Sequence, residues 1–284
     1  MFVKAYAKIN VYLDVVGKRK DDYHLLDMVM LPLELHDTIE VEHVPFATET
    51  YIVTDKIEKE ITKYDLIRRT FQNFSQKFNT KEQYNITVHK EIPICAGLGG
   101  GSSNAAAVLR AFEKYSKVKM EPQEELEFGL QLGADVPYCL RNEPSHVEGI
   151  GEKITPIKLA NPWSVIIIKP KKGLSTKIVF EACDKNKLKH GNVNKVIEAL
   201  ETGNEELLSD GMFNSLEETS IKLVPEIQEI KDMLKKDGFK CVLMTGSGSC
   251  VFALTKDHAF AYNKFLKYER KGYEVILTKT LKQK

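Results

Sequence analysis

A glycine-rich segment opens the most regular helical pattern of the chain. Residues 97 to 103 read GLGGGSS, and an alanine-rich stretch continues to Tyr115. Glycines let backbone N–H groups approach an anion without interference from a Cβ atom, and a helix start adds unpaired donors and a favourable dipole. The segment predicts a phosphate-binding loop in which Ser102 or Ser103 binds phosphate oxygens or a metal ion, or caps the helix. A flexible turn before a capped helix is the plain alternative.

Two familiar phosphate-binding patterns do not fit this segment. The P-loop pattern is absent because no lysine follows the glycines, and the HRD and DFG segments of protein kinases are absent as well. A dinucleotide-binding fingerprint is matched at Gly97 and Gly99 but has Ser102 at its third glycine. Because a long strand-like region precedes the segment, the dinucleotide fold remains the weaker alternative.

Phosphoryl transfer also needs a carboxylate to deprotonate the acceptor and a cation to offset charge. Asp135 fits the first role, since it lies in Gly-Ala-Asp-Val-Pro, where Gly133 and Pro137 restrict the backbone. A helix N-cap or turn role suits Asp135 equally well. Lys8 and Asn10 share the polar face of the first strand, for which a solvated face is the ordinary explanation.

Two further segments carry weaker signals. Tyr23-His24 follows a basic run and offers an aromatic ring and an imidazole to a base, although such surface pairs are common. The TGSGS turn at residues 245 to 249 lies between two apolar runs and suits either an anion-binding nest or a plain β-connection.

The elements around these residues mix strands and helices without a βαβ repeat. Residues 2 to 16 alternate as a strand with one buried face is expected to do. Other strands are predicted at residues 38 to 44, 84 to 88, 163 to 168, 241 to 244 and 251 to 254. Helices are predicted at residues 64 to 78, 102 to 115, 124 to 132, 193 to 200 and 224 to 235.

The size and composition predict a globular protein of two lobes. The chain has 284 residues, of which 43% are hydrophobic and 29% charged, with a net charge of +1. This balance argues against a nucleic-acid or membrane partner. Five cysteines without a CxxC pair suit a reducing compartment, and the longest apolar run is too short to span a bilayer. We therefore expect a cytoplasmic protein. We also expect a monomer or a homodimer. Domains are predicted at residues 1 to 160 and 161 to 284.

Separated segments of the chain together resemble the family of galactokinase, homoserine kinase, mevalonate kinase and phosphomevalonate kinase. In chain order, the family pattern is matched by AYAKINVYLDV, PICAGLGGGSSNAA and MTGSGSCVF. The segments AKIN, DDYHLLDMV, GLGGGSSNAA and LGADVPYCL are most similar to one kind of member within it. The resemblance implies an α+β fold with an N-terminal lobe like domain 2 of ribosomal protein S5, a ferredoxin-like C-terminal lobe and an active site in the cleft between them. It also implies an ATP-dependent kinase with Mg²⁺. Within the family the chain is most similar to members that phosphorylate a cytidine-diphosphate-linked methylerythritol in the non-mevalonate isoprenoid route.

The same resemblance assigns roles to individual residues. Asp135 is implied as the catalytic base with Lys8 as its partner. No certain metal ligand is implied, since ATP would carry most of the contacts to Mg²⁺, with Ser102 or Ser103 as the candidate protein ligand. The implied ATP-binding residues are Pro93, Gly97, Leu98, Gly99, Gly100, Gly101, Ser102, Ser103 and Asn104. The implied substrate-binding residues are Asn10, Tyr23, His24, Thr176 and Phe180, with Tyr23 and Phe180 on either side of the cytosine and His24 at its edge.

Three positions depart from the family pattern. Asp65 stands where an Asn is usual near the adenine, Asn104 replaces an Asp after the serines, and Ser215 replaces the Asp of an Asn-Asp-Leu-Glu stretch. A kinase of the family acting on mevalonate or homoserine and a silent sensor with the same fold are the alternative functions.

Overall fold

The computed structural model describes residues 1–55, 65–184 and 188–281. The chain forms two compact units, each built from separate stretches of sequence. Unit 1 contains Met1–Ala7, Leu35–Ile92 and Gly99–Asn142, and unit 2 contains Lys8–Glu34, Pro93–Leu98 and Glu143–Lys284. Both units combine helices with strands, which confirms the predicted α+β class.

The elements are numbered in chain order. Among the described residues the strands are β1 (Phe2–Lys18), β2 (His24–His43), β3 (Tyr51–Thr54), β4 (Tyr84–His89), β5 (Ser145–Gly149), β6 (Lys153–Pro156), β7 (Ser164–Lys169), β8 (Phe213–Asn214), β9 (Cys241–Met244), β10 (Val251–Thr255) and β11 (Glu274–Lys279). The helices are α1 (Asp65–Phe78), α2 (Gly100–Ser116), α3 (Pro122–Leu132), α4 (Val136–Arg141), α5 (Thr176–Cys183), α6 (Val193–Thr202), α7 (Glu205–Gly211), α8 (Glu217–Leu223), α9 (Glu226–Lys236) and α10 (His258–Arg270).

Unit 1 packs helices on a small sheet. Strand β4 pairs antiparallel with the second part of β2 and parallel with β3. Helices α1 and α2 contact each other, and Phe74, Tyr84 and Phe112 form an aromatic cluster in which Tyr84 and Phe112 lie 4.7 Å apart between ring centroids. Burial of these large rings holds α1, α2 and β4 together, because a close-packed core leaves the elements little freedom to shift.

Unit 2 contains an antiparallel sheet of four strands in the order β11-β7-β10-β9. Strand β7 is apolar throughout its centre and is buried, as its run of isoleucines predicts. Strand β5 pairs with the first part of β2 and with β6. The short strand β8 pairs parallel with β1 at Tyr12 and Leu13.

The structure confirms most of the predicted elements and corrects one of them. Strands β4, β7, β9 and β10 and helices α1, α2, α3, α6 and α9 are found where the sequence predicts them; residue 64, the predicted start of α1, lies outside the described residues. The prediction that β1 has one buried face is wrong, because both faces are buried from Ala7 to Val15. The TGSGS turn does connect two antiparallel strands, β9 and β10.

None of the five cysteines forms a disulfide. Burial raises the pKa of the Cys241 thiol to about 12. In the described part of the chain, every helix is too short or too polar to cross a membrane.

Candidate active site

The first part of the glycine segment belongs to unit 2 and is held by the TGSGS turn and by β1. Gly97 has a φ of 76°, and a Cβ atom there would lie 2.2 Å from the carbonyl oxygen of Thr245. The Thr245 hydroxyl donates to the Gly97 carbonyl oxygen at 3.2 Å, and the Lys8 amide donates to the Leu98 carbonyl oxygen at 3.0 Å. Only glycine fits at position 97, both for its backbone conformation and for the close approach. The backbone of the predicted catalytic lysine is thereby fixed beside the glycine segment.

The second part of the glycine segment belongs to unit 1 and begins α2. The N-cap residue is Gly99, with a φ of 71° and no side-chain capping hydrogen bond, so the prediction that Ser102 or Ser103 caps the helix is wrong. The reason is that the Ser103 hydroxyl is buried and donates to the Tyr6 carbonyl oxygen at 2.7 Å. Ser102 is partly exposed in the first turn. The amides at this helix start therefore have no side-chain cap competing with an anion.

A buried ion pair lies directly behind the start of α2. Lys90 is paired with Asp37, and the other oxygen of Asp37 accepts the amides of Glu91 and Ile92 at 2.8 Å each. A Cβ atom at Gly100 would lie 3.4 Å from Lys90 Nζ. This pair gives no local signal in the sequence, because Asp37 lies in β2 and Lys90 directly follows β4, 53 positions away in the chain.

Asn104, the last predicted ATP-binding residue, is 4% exposed, and its Oδ1 atom has no hydrogen-bond partner. Leu98 is buried as well, so its contribution to an anion site is limited to its backbone. Pro93 and the glycines at positions 97, 99, 100 and 101 are partly or fully exposed. The accessible part of the segment is thus its backbone together with Ser102.

Asp135 lies in unit 1, at the N-cap position of α4. Its side chain makes no capping hydrogen bond, so the N-cap alternative raised by the sequence does not account for this carboxylate. Pro137 lies in the first turn of the helix, where its missing amide hydrogen costs no intrahelical hydrogen bond. A Cβ atom at Gly133 would lie 3.9 Å from Ser102 Oγ. The turn that carries Asp135 therefore approaches the first turn of α2 within the same unit.

Lys8 and Asn10 lie in unit 2 and are buried, at 4% and 0% exposure. Lys8 Nζ donates to Asn10 Oδ1 at 2.8 Å, and the Asn10 amide donates to Thr245 Oγ1 at 3.1 Å. The solvated face that the alternation suggested is not found. A buried ammonium group with an amide oxygen as partner is suited to a charged ligand, since burial strengthens its electrostatic interactions.

The same strand face continues with two more buried polar side chains. Tyr12 and Asp14 are 1% and 2% exposed, and the Tyr12 hydroxyl donates to Asp14 Oδ2 at 3.3 Å. Burial, and then the charge of Asp14, raise the pKa of Tyr12 well above its ordinary value. The Gly191 amide also donates to Asp14 at 3.2 Å.

The predicted substrate-binding residues at the start of β2 and in α5 meet in unit 2. The His24 and Phe180 rings lie 4.7 Å apart between centroids at 32°. Thr176 Oγ1 lies 3.0 Å from Ser247 Oγ in the TGSGS turn. Tyr23 is 57% exposed, and among the described residues no ring contact joins it to Phe180. The side chain of Asp65, which the family pattern places near the adenine, lies outside what the structure describes.

Residues in and after β8 hold the TGSGS turn and the end of β9 in place. Asn214 Nδ2 donates to the carbonyl oxygens of Met244 and Gly246 at 2.8 Å each. The Glu217 carboxylate accepts the Met244 amide at 2.9 Å and pairs with Lys231. Ser215, where the family has Asp, accepts the Val15 amide at 3.0 Å. The family resemblance identified this stretch in the sequence, but it did not predict that Asn214 binds the TGSGS turn. That role depends on a contact with a residue 30 positions away in the chain.

Comparisons with known proteins extend over nearly the whole chain. The model for the N-terminal domain of GHMP kinases matches residues 65–143, and the model for the C-terminal domain matches residues 196–274. The 4-diphosphocytidyl-2-C-methyl-D-erythritol kinase of Clostridium novyi strain NT is 38% identical over 282 residues, which are 99% of this chain and 100% of that protein. The enzyme of the same name from Clostridium perfringens strain 13 is 39% identical over 293 residues, covering 99% and 98% of the two chains.

Solved structures with a similar fold include members of the same family of kinases. The crystal structure of a 4-(cytidine 5'-diphospho)-2C-methyl-D-erythritol kinase is similar with a TM-score of 0.82 and 28% identity, covering 99% of this chain and 100% of that one. The crystal structure of L. major mevalonate kinase in complex with R-mevalonate has a TM-score of 0.77 at 14% identity, covering 99% of this chain and 95% of that one. The second likeness concerns the fold alone.

Proposed function

Since this chain belongs to the family of the 4-diphosphocytidyl-2-C-methyl-D-erythritol kinases within the GHMP kinases, we propose that it transfers the γ-phosphoryl group of ATP to the 2-hydroxyl of 4-diphosphocytidyl-2-C-methyl-D-erythritol. The observation that supports this most is the identity of 38% across 99% of the chain and 100% of a relative with that name.

The nucleotide is assigned to the glycine segment. Backbone amides from Gly99 to Ser102 bind the phosphates, because the helix start is uncapped by a side chain and carries a positive dipole end, whereas the Ser103 amide already donates to the Gly99 carbonyl oxygen. Ser102 contributes its hydroxyl, whereas the hydroxyl of Ser103 is used to hold β1. The role of Ser103 is therefore to fix the loop rather than to bind the ligand.

Magnesium fits this arrangement as an ion carried by the nucleotide. Among the residues that the structure describes, no group of three or more His, Cys, Asp and Glu side chains could hold a metal ion. One serine hydroxyl, Ser102, suits an ion that keeps most of its ligands from phosphate and water. When bound with ATP, the ion would neutralise charge on the phosphates.

The chain itself supplies the proton acceptor and a cation. We assign Asp135 as the base that takes the proton of the 2-hydroxyl, and Lys8 as the group that stabilises the negative charge on that oxygen during in-line transfer. Lys8 is held at Asn10 Oδ1, so its ammonium group keeps one orientation. The support for this pair is the family pattern together with the local geometry of each residue. No covalent intermediate with the protein is required.

The cytidine end is assigned to the His24 and Phe180 rings, with Tyr23 covering the base from solvent. Tyr23 is exposed at 57% and so has freedom to close on a ligand. The location in the cytoplasm, the oligomeric state and the domain boundary near residue 160 stay predictions.

The decisive assay combines the purified chain with ATP, Mg²⁺ and the diphosphocytidyl-methylerythritol substrate. We expect one equivalent of ADP for each monophosphorylated product, seen by ³¹P NMR and mass spectrometry. Mevalonate and homoserine serve as competing acceptors in parallel reactions. Phosphorylation of either of these in preference to the cytidine substrate would overturn the proposal, and so would nucleotide binding without any turnover.

The role of Asp135 is tested with Asp135→Asn. We expect kcat to fall by about 10³-fold or more with the affinity for ATP nearly unchanged, because the amide cannot accept the proton. The exposed Asp232, which accepts a hydrogen bond from Gln228, provides the matched control Asp232→Asn. Turnover by Asp135→Asn within a few fold of the native rate would remove Asp135 from the mechanism.

A further inference from the structure

Beyond the predicted base-binding residues, a carboxylate lies against the His24 ring. Asp184 directly follows α5, the helix that carries Phe180. Its Oδ1 atom lies 2.6 Å from His24 Nε2, within hydrogen-bond range. The imidazole therefore has two contacts from this region, the Phe180 ring of α5 and the Asp184 carboxylate directly after the helix.

Asp184 is also held from its other side. Lys18 Nζ lies 2.8 Å from Asp184 Oδ2, so each carboxylate oxygen has its own partner. The His24 hydrogen bond, and then that of Lys18, lower the pKa of Asp184. An ionised carboxylate only accepts hydrogen bonds, so the proton between the two side chains belongs to His24 Nε2.

This arrangement determines what His24 can offer to a ligand. With the proton on Nε2, a neutral imidazole presents Nδ1 as an acceptor. The 4-amino group of cytosine is a donor, whereas uracil has a carbonyl oxygen at the same position. An acceptor at Nδ1 favours cytosine, because with uracil two acceptors would face each other without a proton between them.

We propose that Asp184 is a specificity-determining positioning residue: it holds His24 in the Nε2–H form, so that Nδ1 selects the 4-amino group of a cytidine-diphosphate substrate over the 4-oxygen of the uridine analogue. The inference rests on the proposed function, since it deepens the assignment of the cytidine end. It adds a residue that the family resemblance did not supply.

The first test is spectroscopic and needs no activity. Long-range ¹H–¹⁵N spectra of the native chain at pH 8.5 are expected to show His24 neutral, with its proton on Nε2. In Asp184→Asn the amide can donate or accept, so a mixture of both tautomers is expected. A native His24 with its proton on Nδ1, or a doubly protonated ring at that pH, overturns the proposal whatever the variants do.

The second test is kinetic and compares the cytidine substrate with its uridine analogue. For Asp184→Asn we expect KM for the cytidine substrate to rise by about 10-fold with kcat largely kept, and the preference for cytidine to shrink by about 10-fold. A purely structural role would lower activity toward both substrates equally, which would overturn the proposal.

A matched control is offered by Asp22, the other carboxylate near Lys18. Asp22 lies 3.1 Å from Lys18 Nζ and has a φ of 67°, which asparagine tolerates. We expect Asp22→Asn to keep both the tautomer and the cytidine preference. Equal loss of preference in both variants would mean that net charge, not the contact with His24, is responsible.

The two proposals can fail separately. A native chain that phosphorylates neither nucleotide substrate removes the proposed function, while the spectroscopic result still decides how Asp184 holds His24. A native chain that prefers cytidine, together with an Asp184→Asn variant that keeps this preference, overturns the inference and leaves the function intact.

Discussion

At the scale of single residues, the polar side chains that matter are buried and have defined partners. Lys8, Asn10 and Asp14 lie on one face of β1 at 4% exposure or less. A charged group out of water is costly unless it is paired, so each of these must gain enough from its contacts to offset lost hydration. Burial of three polar side chains on this face of β1, despite the lost hydration, indicates a functional role for the face.

The Asp37–Lys90 pair yields a prediction about stability. Lys90→Met removes the partner of Asp37 Oδ2. Among the described residues, this leaves a carboxylate at 0% exposure with two backbone donors, both on Oδ1. We expect the free energy of unfolding to fall by about 3 kcal/mol in urea titrations.

The control for this prediction is Lys77→Met in the same unit. Lys77 pairs with Glu124 at 2.8 Å, with both side chains 38% exposed, so its loss is expected to cost less than about 1 kcal/mol. Equal effects of the two substitutions would show that the buried pair adds no more than a surface pair.

At the scale of elements, the TGSGS turn holds the candidate site residues that belong to unit 2. Thr245 joins it to β1 and to the glycine segment, and Asn214 joins it to the end of β8. The turn is therefore an anchored part of unit 2 rather than a plain connection between β9 and β10. Whether it also binds an anion stays a prediction.

Asn214 provides the test of this anchoring. Asn214→Ala leaves the buried carbonyl oxygens of Met244 and Gly246 without that donor, and we expect the free energy of unfolding to fall by about 2 to 4 kcal/mol. We also expect KM for ATP to rise several-fold, since Gly97 depends on the turn.

The matched substitution is Asn192→Ala at the N-cap of α6. Asn192 is exposed and accepts one hydrogen bond, from the Asn194 amide at 3.1 Å, so its loss should cost about 1 kcal/mol and leave KM unchanged. A normal KM for ATP in Asn214→Ala would separate the turn from nucleotide binding.

How far the sequence predicts these elements depends on the range of the interactions. Helix α2 and strand β4 are found from their periodicity, which depends only on neighbours along the chain. Helix α5 was not predicted, because it has eight residues and includes the β-branched pair Ile178 and Val179. The cap of α2 was predicted wrongly because the hydroxyl of Ser103 is taken by Tyr6, 97 positions away.

The candidate site follows the same rule. Asp135 and the glycine segment were identified from local sequence, since each is a short rigid motif. Asp184 and Lys90 were not, because their partners lie 160 and 53 positions away in the chain. Residue types and spacing show which chemistry a chain can carry, whereas the side chains that orient the catalytic groups are fixed by long-range contacts.

At the scale of the whole molecule, the two compact units are interleaved in sequence. Unit 2 takes residues 8–34 and 93–98 from the first part of the chain and joins them to 143–284. Within it, β1 pairs with β8, the Ser215 amide donates to the Leu13 carbonyl oxygen at 2.9 Å, and the Leu281 amide donates to the Pro32 carbonyl oxygen at 2.8 Å. Late segments of the chain thus need early ones to complete their hydrogen bonds.

This interleaving predicts how the chain behaves when it is divided at residue 160. We expect a fragment of residues 161–284 to unfold without a sharp transition, because the edge of β8 and the backbone near Thr280 lose their partners in β1 and β2. Mixing it with a fragment of residues 1–160 should restore a cooperative transition and kinase activity, which thermal circular dichroism and ADP release would measure. A fragment of residues 161–284 that unfolds alone in one sharp step, with well-dispersed amide NMR signals, would show instead that this region folds without the early strands. In that case the contacts of β1 and β2 with it would add to a structure that already exists, and the division predicted from the sequence would describe the folding units better than the interleaved one.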